Sequence, residues 1–367
     1  MKIRTVEPVL VSLPYEQGAP KPASNAIVSW EKVNILFVRV ETDEGVVGWG
    51  EAFGILCSDL TAQAVSDVVA KVAVGRAITK ASALSDELRR SLNSVARAGG
   101  PVAFALSALD IALWDIEGKV AGQPVWRLLG GVGREVITAY ASLFRLGEPS
   151  YVEKLCAEAV RRGYRAIKLH EYTVKAVEAA RRGAGPGIDI MVDVNCHWTS
   201  HDEVVAFCEA TEPFGVSWLE EPLYPSDDYA AHARLRRDVT TPIAAGENIT
   251  NPAEMRVLLE AGGVDIVQPS PAKIGGVTGV WRSVALAREK GVRCVPHSPF
   301  HGPALMAAIH VIAAMPEDVA CELRYCDLAA NPIGPHAEAS GGLLRVPQGP
   351  GLGVDVDLEI VRQYRVG

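Results

Sequence analysis

The chain has 367 residues, 49% of them hydrophobic, which supplies sizeable cores and exceeds what one typical (β/α)8 barrel requires. A net charge of −8 argues against a nucleic-acid partner, and no apolar run reaches the length of a membrane span. The seven Cys are odd in number and form no C-x-x-C pair, which reads as reduced thiols in a cytoplasmic protein.

Residues 1–13 alternate apolar and polar positions as a strand does, and the first ten lack a signal-peptide apolar region. Residues 14–31 hold Pro14, Gly18, Pro20, Ser24 and Asn25 and read as a loop. The runs 32–42 and 46–51 flank Asp43-Glu44-Gly45, a hairpin with a glycine-bearing turn. A second loop, 52–59, leads into helical patterns at 59–74, 81–97 and 101–121, the last opened by Pro101 and closed by Gly122. Strands followed by helices predict an α+β domain over residues 1–130, with Gly130-Gly131-Val132-Gly133 as a linker.

Beyond the linker a period sets in. Short apolar runs, too short for helices, end at Ser142, Lys168, Asp193, Glu220, Glu247, Ser270, His297 and Glu322, spaced by 23 to 27 residues. A parallel strand needs a long crossover before the next one, and strand, loop, helix and loop take about 25 residues. Helical segments at 150–162, 173–182, 201–211, 227–238, 251–261, 277–290 and 303–314 fill the gaps. Eight such strands over residues 131–342 predict a (β/α)8 (TIM-like) barrel. The barrel is complete by Glu322, so the tail 343–367 is expected to return to the cap.

In such a barrel the C-terminal strand ends converge on one mouth. Asp193, Glu220 and Glu247 stand 27 residues apart on three successive strands and meet there. Three converging carboxylates need a cation, and an all-oxygen donor set suits a hard ion such as Mg2+. Glu221 must point to the opposite side of its strand from Glu220 and reads as structural. Lys168 and His170 are two residues apart and share one side of the second strand. His297, on the seventh, approaches the mouth from the opposite side. A small-molecule carboxylate held on the ion between these groups is placed to lose its adjacent proton. His301 and His197 lie in loops after strands, each either a substrate contact or a loop hydrogen bond, while His310 and Lys273 read as structural.

The run Ser107-Ala108-Leu109-Asp110-Ile111-Ala112-Leu113-Trp114-Asp115, then Gly130-Gly131, Glu220-Glu221-Pro222, Gly246-Glu247-Asn248 and Lys273-Ile274-Gly275-Gly276 follow one another at barrel spacing. In that order they resemble the enolase superfamily, mandelate racemase subgroup, over essentially the whole chain. The resemblance implies Mg2+ on Asp193, Glu220 and Glu247, with Lys168 as a base or an electrostatic partner of the substrate carboxylate. It implies a seventh-strand catalytic role for His297, a hydrogen bond from Glu322 to that carboxylate, and a substrate contact from Asn195. It also implies cap loops 14–31 and 52–59 that close the mouth, and a symmetric homo-oligomer.

Two positions depart from the racemase pattern. His170 stands where the second Lys of Lys-x-Lys is expected, which keeps proton transfer feasible from that face. Ser270 replaces the Asp that pairs with the seventh-strand His, removing an anion that supports a charged imidazole. The pattern therefore favours an acid-sugar dehydratase over a 2-hydroxy-acid racemase or epimerase. A lactone cycloisomerase shares the first step, and a non-catalytic sugar-acid binding homologue is the alternative outside enzymes.

Overall fold

The N-terminal strands form an antiparallel sheet in which Ile3–Glu16 pairs with Lys32–Thr42 and that strand with Val47–Ala52. The structure is a computed structural model that describes every residue except 21, 22, 25–28, 98, 132 and 367, and only the backbone at 23, 24, 29 and 30. Part of the expected cap loop 14–31 thus lies outside the described residues.

Helix Pro101–Ala121 covers the sheet. Proline at its first turn needs no amide partner, and Gly122 at φ 64° ends it in the left-handed region. The helix approaches Val47–Ala52 so closely that a Cβ at Gly50 would sit 1.9 Å from the Ala108 carbonyl oxygen. Only glycine permits that contact. The helix buries residues on every side because its other face meets the barrel. There Trp114 Nε1 donates to Thr278 Oγ1 at 2.9 Å, and Asp110 accepts from the Thr278 amide at 3.0 Å. One continuous apolar cluster joins Val11, Phe37 and Leu109 of the cap to Ile190 and Leu219 of the barrel. Truncating a buried leucine such as Leu109 to Ala costs about 2–5 kcal/mol at sites of this kind.

The eight barrel strands are Val136–Ser142, Ala166–Leu169, Asp189–Asp193, Val216–Glu220, Ile243–Ala245, Ile266–Val267, Arg293–Cys294 and Cys321–Arg324. They pair in parallel in chain order, and the eighth closes on the first with Glu322 opposite Tyr140. Among the described residues no backbone ladder joins the seventh and eighth strands. Side chains bridge that seam instead: Ser298 Oγ donates to the Glu322 carbonyl at 3.0 Å, and the Ser298 amide to Glu322 Oε2 at 3.1 Å. The result is a TIM-like barrel with an N-terminal capping domain.

Helices alternate with the strands and begin where the sequence supplies caps. Thr173, Ser200, Asp228 and Asn251 each accept the amide three residues on, which fixes the loop lengths above the mouth. After the eighth strand, Leu343–Arg345 lies antiparallel on the first barrel strand. The Leu352 amide donates to Asp115 Oδ1 at 2.9 Å, and the Val366 amide to the Leu10 carbonyl at 2.9 Å. Among the described residues no helix is long and apolar enough to cross a membrane.

Candidate active site

Asp193 and Glu220 are the last residues of the third and fourth strands, and Glu247 follows the fifth by two residues. The chain turns sharply just beyond these positions. Of the four described non-glycine residues with positive φ, three lie here: Asn195 (46°), Cys196 (57°) and Glu221 (46°). Such conformations cost of order 1–3 kcal/mol each and concentrate at functional sites. The turn after Asp193 brings Asn195 back, so that its Nδ2 and its amide donate to Asp193 Oδ1 at 2.9 and 3.0 Å. Glu221, one residue past the strand end, accepts from Asn248 Nδ2 at 2.8 Å.

One ligand oxygen from each of Asp193, Glu220 and Glu247 lies within 4.8 Å of the others. Asp193 Oδ2 is buried, with the Lys168 ammonium and His170 Nε2 each at 3.3 Å. An all-oxygen donor set whose three carboxylates repel one another at this separation fits a hard divalent ion. Burial pushes Glu220 up to about 8 despite the charge of Lys168. Burial acts on Asp193 and Glu247 too, but Lys168 and His170 outweigh it at the first, and His297 and Lys273 at the second, so both lie below the usual carboxylate range.

Lys168 is fully buried, its Nζ 3.3 Å from Asp193 Oδ2, 2.9 Å from Glu220 Oε1 and 2.8 Å from Glu322 Oε1. Burial works against its charge, but Glu220 and Glu322 outweigh it and hold the ammonium well above its usual range. Lys168 does not line the cavity at the mouth. Glu322, expected to touch the substrate carboxylate, is also absent from that lining, with its oxygens on Lys168 and the Ser298 amide.

His170 and His297 do line the cavity, together with Asp193, Asn195 and Glu247. His170 Nδ1 lies 2.5 Å from the Leu143 carbonyl oxygen, so Nδ1 carries the hydrogen. Its Nε2 then faces Asp193 Oδ2 at 3.3 Å. His297 Nε2 lies 2.9 Å from Glu247 Oε2, and its Nδ1 3.2 Å from Ser270 Oγ. Ser270 occupies the place expected of the missing Asp, and a hydroxyl either donates or accepts there. Lys273 Nζ holds Glu247 Oε1 at 3.0 Å and Asn248 Oδ1 at 2.8 Å under the Phe53 ring.

The inner cavity, of about 90 Å3, opens through Ile55, Phe144, Pro299 and Arg324 into an outer one of about 300 Å3. Together they reach the lower range of small-molecule sites. Cap residues Lys32, Asn34, Glu51 and Leu56 wall the outer cavity, and the expected loop 52–59 sends Phe53 and Ile55 over the inner one. His301 faces the outer cavity, away from the carboxylates, and burial lowers its imidazole to about 3. Two residues that sequence reasoning passed over, Arg145 and Arg324, also line the inner cavity. Arg324 was within reach of strand alternation, being two residues past the inward-facing Glu322. Arg145 lies in a loop and carries no periodic signal.

A capped TIM-like barrel whose third, fourth and fifth strands converge carboxylates between two imidazoles defines an enzyme of the enolase type. Residues 151–360 match the enolase C-terminal domain-like family profile, and residues 11–130 match that of the mandelate racemase / muconate lactonizing enzyme N-terminal domain. The chain belongs to this mandelate racemase / muconate lactonizing enzyme branch of the enolase superfamily. It is 31% identical to the D-galactarolactone cycloisomerase of Agrobacterium fabrum over 100% of this chain and 99% of that protein. It is 30% identical to the D-gluconate dehydratase of Thermoproteus tenax over 99% of this chain and 74% of that one. Among solved structures, the mandelate racemase/muconate lactonizing protein of Paracoccus denitrificans complexed with magnesium superposes with a TM-score of 0.87 at 28% identity, covering 100% and 98% of the two chains.

Proposed function

We propose that the protein removes the proton next to the carboxylate of an acid sugar and then expels the oxygen substituent on the neighbouring carbon. The observation that carries this reading is the pair of imidazoles. Each presents Nε2 to the carboxylate trio, His170 at Asp193 and His297 at Glu247, from opposite sides. Asp193, Glu220 and Glu247 would hold Mg2+, which would supply positive charge against the negative charge that builds on the substrate as the proton leaves.

His170 takes the proton, because its Nδ1 hydrogen bond to the Leu143 carbonyl supports the positive charge it gains. Lys168, sealed below the cavity on three carboxylates, keeps the cluster in place and supplies positive charge beneath the substrate. His297, held by Ser270 Oγ at Nδ1 and by Glu247 at Nε2, gives a proton to the departing oxygen from the face opposite His170. Asn195 reaches the substrate from the turn after Asp193. When the departing oxygen belongs to a hydroxyl, water leaves and the enzyme is a dehydratase. When it belongs to a ring, the oxygen stays attached and the reaction is a cycloisomerisation. The end-to-end match with the Agrobacterium cycloisomerase favours keeping this second reading beside the first.

The division into a cap of residues 1–130 and 343–367 around a barrel of 131–342 is part of the proposal. It is supported by the tail's hydrogen bonds to Asp115 and Leu10. A homo-oligomeric cytoplasmic enzyme completes the reading, and light scattering on the purified protein checks the assembly. The test of function is a screen of acid sugars and their lactones in D2O with Mg2+. Loss of the α-hydrogen with one solvent deuterium at the neighbouring, newly deoxygenated carbon, in a product formed with loss of water or with ring opening, supports the reading. Unchanged, unlabelled substrates throughout would overturn it.

A further inference from the structure

Arg145 and Arg324 come from the loop after the first strand and from the end of the eighth, which are adjacent in the ring, with Arg324 opposite Ser142. In a ring of eight, strands eight and one face strands four and five, where Glu220 and Glu247 stand. The inner cavity thus has an anionic wall built for a cation and, facing it, a wall with two guanidiniums.

Among the described residues neither guanidinium has an ion-pair partner. Arg145 stacks on the Tyr172 ring at 4.2 Å and donates to the Tyr172 hydroxyl, and Tyr172 stacks on His197 at 3.8 Å. The nearby Glu171, on which the Arg145 charge acts without an ion pair, accepts the Leu146 and Gly147 amides on Oε1 at 2.6 and 3.0 Å. Arg324 lies over the Phe144 ring at 4.9 Å, where the inner and outer cavities join. Glu51, across the outer cavity, is turned to the Ala304 amide at 2.9 Å. Aromatic stacking holds both forks in position without neutralising them, and planar guanidiniums match a carboxylate bidentately. Two unpaired cations in a partly enclosed cavity point to an anionic ligand group. The reacting carboxylate is committed to the opposite wall.

We infer that Arg145 and Arg324 form a subsite for a second, terminal carboxylate, so that the substrate is a dicarboxylic sugar acid or a derivative that keeps one free carboxylate at its far end. This rests on the proposed function for the placement of the first carboxylate.

Galactarate and galactonate differ only in whether carbon six is a carboxylate or an alcohol, and they serve as probes. Titration calorimetry on Mg2+-loaded protein carrying His170→Gln, so that turnover adds no heat, is expected to show galactarate binding more tightly by about ten- to hundred-fold, the range of a charge-assisted pair. Arg324→Gln and Arg145→Gln should each remove most of that preference, while Arg324→Lys, which keeps the charge but not the fork, should retain part of it. Equal binding of the two probes, or Gln variants that keep the preference, would overturn the subsite. So would tighter binding of 6-phosphogluconate than of galactarate, which assigns the anion to a phosphate. Deuterium exchange on the unsubstituted enzyme separates the two readings. A dicarboxylate preference with no loss of the α-hydrogen from any acid sugar, by exchange or by elimination, sinks the reaction and leaves the subsite standing.

Discussion

Lys168→Met takes the ammonium from between Asp193, Glu220 and Glu322, which it approaches at 3.3, 2.9 and 2.8 Å. Removing one member of a buried ion network costs about 3–5 kcal/mol, because the partners stay behind unpaired. At about 2.1 cal/mol/K per residue, 367 residues unfold with about 0.8 kcal/mol/K of entropy, so the melting temperature of the metal-free variant should fall by about 4–6 °C. A divalent ion on Asp193, Glu220 and Glu247 supplies positive charge to two of the same carboxylates. Mg2+ should therefore raise the melting temperature of Lys168→Met by more than it raises that of the wild type. Thermal melts in EDTA and across a Mg2+ titration read both effects. A variant that melts with the wild type in EDTA, or an equal Mg2+ shift in the two proteins, would refute the view that Lys168 holds the cluster together.

His170→Gln should lower turnover and α-hydrogen exchange together by about 10²–10⁴, measured by deuterium incorporation. Exchange at the wild-type rate in that variant would return the base role to Lys168. His297→Asn should abolish elimination while the α-hydrogen still exchanges, and full turnover on the true substrate would move the acid elsewhere. Glu51 sets a pH dependence of stability: burial raises its carboxyl from 4.5 to about 7 against the pull of the Ala304, His301 and Gly302 amides. The folded state therefore binds the proton more tightly than the unfolded one, and stability falls as pH rises through that window, by about 3 kcal/mol at most. Glu51→Gln cannot ionise, so its melting temperature should gain on the wild type between about pH 5 and about pH 8, and a gap independent of pH would defeat the assignment.

The barrel was legible because its period is long and several of its strand ends are charged. Asp193, Glu220 and Glu247 mark strand ends against runs such as Ile190-Met191-Val192, and the first barrel strand begins and ends at the expected residues 136 and 142. Helix 101–121 was equally plain from Pro101 and Gly122. What periodicity could not reveal was the depth of each side chain along its strand. Lys168 and His170 share a face, yet one is sealed on three carboxylates and the other reaches the cavity. The two-residue strands Ile266–Val267 and Arg293–Cys294 are set by ladder geometry, which leaves no mark in composition. Phe144, Arg145, Ile55 and Pro299 meet at the mouth from three distant stretches, and that meeting is a property of the closed ring and its cap.

The shared wall of the outer cavity has a consequence for how such a protein changes over generations. Lys32, Asn34, Glu51 and Ile55 come from the cap, while Asp193, Glu220, Glu247, His170 and His297 come from the barrel. Mutations at these cap positions therefore reshape what enters without touching the residues at the carboxylate trio. A duplicated copy can drift in its appetite while its chemistry stays under selection. Kinship with proteins named both dehydratase and cycloisomerase is what such a separation leads one to expect.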